Sequence, residues 1–101
     1  MKHIYISGAI SGRDKKEYQK HFESAEDYLE RWGYSPINPA SDEFAEAHFF
    51  EHKDYKAIMR VDINVLAGCD SIYMLKGWEH SMGARAEHAF AAACGMTILY
   101  E

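Results

Sequence analysis

The feature that most constrains this 101-residue chain is an alternation of apolar patterns, strand-like and helix-like in turn, from one end to the other. His3-Ile4-Tyr5-Ile6-Ser7 mixes β-branched and aromatic residues and stops at Gly8, which reads as a strand. Tyr18, Phe22, Ala25, Leu29 and Trp32 then recur at helical spacing on one face, and Gly33 stands where a helix C-cap glycine belongs. Tyr34 to Asn38 is a short second strand, and Pro36 and Pro39 suit it to a sheet edge. Tyr55 to Gly68 is a second helix with Ile58, Val61, Val65 and Leu66 on its apolar face. Ser71 to Leu75 is a third strand. An alanine-rich helix runs from Ser81 to Cys94 and is stopped by Gly95, and Thr97 to Tyr100 is the last strand. Residues 40–54 fit no period and are expected to form short helical turns, a lid or a subunit contact.

The order β-α-β-(irregular)-α-β-α-β predicts an α/β fold with parallel strands and right-handed crossovers, one domain over residues 1–101. Such sheets bind ligands beyond the carboxyl ends of the strands, where strand order reverses. The loops 8–14 and 76–83 lie at those ends and carry the residue types a ligand needs.

Gly8-Ala9-Ile10-Ser11-Gly12-Arg13 joins a strand to a helix. Its glycines let backbone approach a ligand, and the helix start behind it favours an anion; the plainer reading is a tight turn with a solvated arginine. Ser81 is a good N-cap, or a hydroxyl that with the first free amides of its helix holds a phosphate or sugar oxygen. Glu87 lies at helical spacing from Ala84 and Ala91, an unusual place for a carboxylate unless it is simply exposed. Asp62, flanked four residues away by Ile58 and Leu66, raises the same question. Two carboxylates at one cleft suit glycosidic cleavage, one as nucleophile and one as acid. His48-Phe49-Phe50-Glu51-His52 fits H-x-x-E-H, in which two histidines share a metal; proteases of that kind need a further ligand and a larger fold, so a surface helical turn is the simpler reading.

Composition narrows the partners. A formal net charge of −5 and the lack of any basic run disfavour nucleic acid. Cys69 and Cys94 are too few for a disulfide framework and read as buried thiols. No apolar stretch is long enough for a bilayer, and Met1-Lys2-His3 leads straight into a strand without room for a signal peptide, so a cytoplasmic protein with no membrane partner is expected. A chain this small favours a shallow site completed by a second subunit. Phe44, Phe49, Phe50 and Tyr55 are either interface anchors or cover for the local core.

Taken in order, four features resemble the nucleoside 2-deoxyribosyltransferase-like superfamily over nearly the whole chain. They are Ile4-Tyr5-Ile6-Ser7-Gly8-x-Ile10-x-Gly12, Asn38-Pro39, Asp62 eight residues before Asp70, and Gly77-Trp78-Glu79-x-Ser81-x-Gly83-Ala84-x-x-Glu87. The likeness is to its short bacterial and phage members of uncharacterised function, the DUF4406-like branch. It implies a flavodoxin-like (Rossmann-like) three-layer sandwich on a mainly four-stranded parallel sheet. It also implies cleavage of a nucleoside or nucleotide N-glycosidic bond without cofactor or metal.

By position, Glu87 matches the nucleophile that attacks the anomeric carbon of deoxyribose, Asp62 the acidic residue that assists the leaving base, and Tyr5 the tyrosine beside the nucleophile. Transferases of the superfamily carry Asp six residues before that Glu. Ser81 stands there in this chain, as in the branch that hydrolyses deoxynucleoside 5′-monophosphates, and serine removes a charge that would repel phosphate. That branch has serine and arginine phosphate contacts in the first loop where this chain has Ala9 and Ser11, and Arg13 is the substitute the resemblance suggests there. The expected substrate contacts are Gly8, Ile10, Ser11, Gly12, Arg13, Asn38, Ser81 and Gly83, with Trp78 stacking on the base or closing over it. A homo-oligomer, dimer or higher, is implied. A non-catalytic nucleotide-binding module is the alternative, because fold does not fix function.

Overall fold

The computed structural model describes residues 2–48 and 54–101. The elements follow in the order β1 (His3–Ser7), α1 (Lys15–Arg31), β2 (Ser35–Ile37), α2 (Asp42–His48), α3 (Tyr55–Ala67), β3 (Ser71–Met74), a 3₁₀ turn (Trp78–His80), α4 (Met82–Ala93) and β4 (Thr97–Tyr100). The four strands form one parallel sheet in the order β2-β1-β3-β4, the flavodoxin-like arrangement. The chain moves outward from β1 to β2 and then crosses back past β1 to β3. The strand order therefore reverses between β1 and β3. Strand β2 is at the edge, and Pro36 pairs there with Ile4, where a missing N–H costs the sheet least.

The period of two along β1 builds the layers. Ile4 and Ile6 face α1 and pack with Phe22, Ala25, Leu29 and Tyr73. Tyr5 points to the opposite face, among Leu66 of α3, Ile72, Met74, and Ala84 and Ala91 of α4. Helix α1 covers one side of the sheet and α3 with α4 the other, which is a three-layer sandwich. Ile4, Ile6, Phe22 and Leu29 are fully buried, each stabilising the fold by roughly 1.5–3 kcal/mol relative to exposure. Asp14, Asp54 and Ser81 cap α1, α3 and α4 by accepting backbone N–H groups of Glu17, Lys56 and Ala84.

The element boundaries agree with the sequence reading to within a few residues except in 40–54, where α2 occupies Asp42–His48. Seven residues with one buried anchor, Phe44, leave no detectable apolar period. Phe44 lies against the His48 ring at a centroid distance of 4.4 Å, so it is local cover. Phe49, Phe50, Glu51 and His52 lie outside the described residues, and with them most of the H-x-x-E-H motif. Among the described residues no group of three or more His, Cys, Asp or Glu could hold a metal ion. Cys69 is half-buried, but Cys94 is exposed, against expectation. It is the C-cap of α4, beyond the last buried position, Ala91. No helix among the described residues is long and apolar enough to cross a membrane.

Gly8 is required by close approach. A Cβ there would stand 2.8 Å from Leu75 Cδ1 and 3.0 Å from Leu75 Cβ. Leu75 is itself buried in the α1-side core and has little room to yield. Gly8→Ala is expected to cost about 1–3 kcal/mol by overpacking, read as a lower urea midpoint at unchanged slope.

Candidate active site

Because side chains alternate along a strand, Tyr5 and Ser7 share one face of β1. Along α4, Ala84, Glu87 and Ala91 are the buried positions, so Glu87 is carried inward between two small residues. These two patterns meet. Tyr5 Oη donates to Glu87 Oε2 at 2.8 Å, and Ser7 Oγ donates to Glu87 Oε1 at 2.6 Å. Glu87 is only 5% exposed, and a buried carboxylate demands such partners. Burial pushes the Glu87 carboxyl above its usual range, and the bonds from Ser7 and Tyr5 oppose that rise. Burial, with the Glu87 charge second, pushes the Tyr5 phenol well above its ordinary value, so Tyr5 remains a proton donor.

Asp62 approaches from α3. Burial, and after it the charge of Glu87, raises its carboxyl from 3.8 to about 7. Its Oδ1 is buried and has no hydrogen-bond partner among the described residues. A buried polar atom without a partner calls for one supplied from elsewhere, a water or a ligand. Two carboxyl groups with such different surroundings, one held by two hydroxyls and one free to hold a proton near neutrality, can divide nucleophile and acid roles between them.

Both line a cavity of about 150 Å³ at the carboxyl edge of the sheet, with Tyr5, Gly8, Ile10, Ser11, Tyr55, Ser81 and Gly83 among the other lining residues. Eight of the twelve sequence-predicted site residues meet here: Tyr5, Gly8, Ile10, Ser11, Asp62, Ser81, Gly83 and Glu87. Ser81 Oγ accepts the Ala84 N–H at 3.2 Å, so the cap reading holds, and its own proton remains available to the cavity.

The other four, Gly12, Arg13, Asn38 and Trp78, are not among the lining residues. Gly12 lies at the exposed tip of the first loop. Arg13 is exposed and folds back to donate to the Ala9 carbonyl at 3.3 Å. Beside it the α1 N-terminus is already capped by the Asp14 carboxylate, whose charge opposes a second anion. Asn38 is structural in its contacts, accepting the Ala40 N–H at 3.0 Å and donating to Glu26 at 3.1 Å. Trp78 stacks on His88 with ring centroids 4.2 Å apart.

Sequence reasoning missed Ser7 and Tyr55. Ser7 shares the face of β1 that carries Tyr5, but nothing in the sequence marks a serine at a strand end as a site residue. Tyr55, Ile58, Met59 and Asp62 follow one another at steps of three, one and three along α3 and all reach the cavity, a helical stripe that Asp62 alone did not reveal.

Residues 2–100 match the family described as a domain of unknown function, DUF4406. No curated protein sequence matches the chain. Among solved structures, the 2-desoxiribosyltransferase from Leishmania mexicana aligns over 99% of this chain with a TM-score of 0.71 and 19% sequence identity. The chain spans 63% of that protein's length. Likeness at this identity establishes the shared flavodoxin-like fold, and the family match over nearly every residue establishes kinship: the chain belongs to the DUF4406 family, on the fold of the nucleoside 2-deoxyribosyltransferases.

Proposed function

We propose that the chain cleaves the N-glycosidic bond of a 2′-deoxynucleoside or its 5′-monophosphate, with Glu87 as nucleophile and Asp62 as acid. The observation that carries this reading is the pair of carboxyl groups at one cavity: Glu87 tethered through both oxygens, and Asp62 with a buried, unpartnered oxygen and a proton held to about pH 7. In the first step Glu87 attacks the anomeric carbon as the bond to the base breaks. The bonding pair leaves with the base nitrogen, and Asp62 protonates the base. In the second step water, or another base, displaces Glu87 from the anomeric carbon, and the incoming group's proton passes to Asp62. The cavity volume suits a sugar, with base and any phosphate reaching past Ser81 and Tyr55 towards the open edge. A cytoplasmic homo-oligomer belongs to the same reading, since a chain this small offers a shallow site; sedimentation at assay concentration checks the assembly.

The test is a panel of deoxynucleosides and their 5′-monophosphates, with free base followed by chromatography. Release from monophosphates alone identifies a nucleotide hydrolase. Release that needs an added acceptor base identifies a transferase. Saturable binding without release would replace this reading with the non-catalytic nucleotide-binding module.

The cavity rim supplies a further expectation. A Cβ on Gly83 would stand 2.8 Å from Tyr55 Oη, the far end of a side chain that is 51% exposed and free to swing. Gly83→Ala is therefore expected to leave the melting temperature unchanged or slightly raised, since alanine favours a helix by up to about 1 kcal/mol over glycine. Nucleoside affinity should fall several-fold as Tyr55 leaves the rim. A lowered melting temperature would show that Tyr55 cannot give way.

A further inference from the structure

We infer that Ser7 is a positioning residue that selects the attacking oxygen of Glu87: its hydroxyl holds Oε1 at the back of the site and leaves Oε2, the oxygen beside Tyr5, to form the bond to the sugar. The inference rests on the reading of Glu87 as nucleophile. Tyr5 is among the residues lining the cavity and Ser7 is not, so the Tyr5-bound oxygen is the one on the cavity side. Ser7 is 1% exposed, and its contact with Oε1, at 2.6 Å, has the length of a hydroxyl donating to a charged carboxylate. The backbone gives Ser7 no freedom to drift. It is in register with Met74 of β3, and its carbonyl accepts the Leu75 N–H at 2.8 Å.

The chemistry assigns that bond a definite moment. When the Oε2–carbon bond forms and the carbon–nitrogen bond breaks, Oε1 becomes the carbonyl oxygen of a neutral ester and accepts more weakly from Ser7. When water then attacks the anomeric carbon, the Oε2–carbon pair returns to Glu87 and the carboxylate charge reappears, shared with Oε1. The Ser7 bond strengthens as that happens, so it favours the second step. Without it, the glycosyl–enzyme ester should persist.

The experiment compares wild type, Ser7→Ala and Ser7→Thr by two readouts. The first is the Glu87 carboxyl titration by carbon-13 NMR, assigned by its loss in Glu87→Gln, and it needs no turnover. Removing a donor to the charged form should raise the Ser7→Ala titration by about one unit, a tenfold gain in proton affinity. The second is turnover on the best deoxynucleoside or nucleotide of the panel. Ser7→Ala should lose about 10- to 100-fold in kcat with KM falling in step and kcat/KM little changed, and should accumulate enzyme carrying one deoxyribosyl mass. Ser7→Thr, which keeps the hydroxyl, should recover both. If Ser7→Ala does not fold, Ser7→Cys, a weak donor of similar size, is read in the same way. An active wild type with an unmoved titration and unchanged kcat in the variant overturns the role of Ser7 alone. A wild type that releases no base overturns the nucleophile reading on which it rests.

Discussion

Glu87→Gln should lose base release by at least about 10³-fold while the protein stays folded and binds its nucleoside or nucleotide within a few-fold of wild type. Glutamine is the informative replacement because of what surrounds the position. Tyr5 and Ser7 are both buried and both donate to Glu87. The amide keeps the shape and one acceptor, and the hydroxyl facing its NH₂ can turn and accept. Glu87→Ala instead leaves two buried hydroxyls without a partner, at about 1–3 kcal/mol each, so its lost activity would be mixed with lost stability. Glutamine also removes a carboxyl whose burial raises its proton affinity. A group raised in the folded state loses stability as pH climbs through its folded value, so the variant should be at least as stable as wild type at pH 8. Turnover, dissociation constant and thermal midpoint on one preparation decide the matter. A variant that keeps wild-type turnover would remove Glu87 from the nucleophile role.

The parts of this molecule legible in the sequence are those written in short-range periodicity. Strand β1 and helices α1, α3 and α4 each carry a complete apolar stripe, and the alternation of elements was enough to require parallel strands. Glu87 and Asp62 stood out for the same reason, as carboxylates on stripes that otherwise bury apolar groups. What stayed hidden depends on contacts made across the chain. Ser7 ends a strand, where a serine looks ordinary, and only a partner 80 residues away gives its hydroxyl a task. Trp78 in a loop reads as a stacking group for a base, yet His88 on the next helix stacks against its ring. Arg13 reads as an anion contact until Asp14 is seen to occupy the helix start behind it. Asn38 reads as a polar contact, and its side chain is spent on a turn and on Glu26. A polar residue's neighbours along the chain show that it has a role, and its neighbours in space decide which.

Asp62→Asn should act in opposite directions on stability and activity, and both effects should follow one titration. The Asp62 carboxyl is raised from 3.8 to about 7, by burial first and by the Glu87 charge second. Between those two values the folded protein keeps a proton that the unfolded chain has released. Stability therefore falls as pH rises across that window and levels off above about pH 7. Asparagine does not titrate. The stability gained by the variant should thus be near zero at pH 4 and grow to a plateau of at most a few kcal/mol above pH 7. Base release should move the other way. The leaving base needs the Asp62 proton, so wild-type kcat/KM should decline above about pH 7. The variant should be slower by about 10²- to 10⁴-fold, with no decline in that range. Glu87→Gln supplies the cross-check, since removing the Glu87 charge should lower the Asp62 titration. Urea unfolding and kcat/KM measured from pH 4 to pH 9 read both curves. A stability difference that ignores pH would mean that Asp62 does not hold its proton in the folded state, and an alkaline decline surviving in the variant would assign the acid to another group.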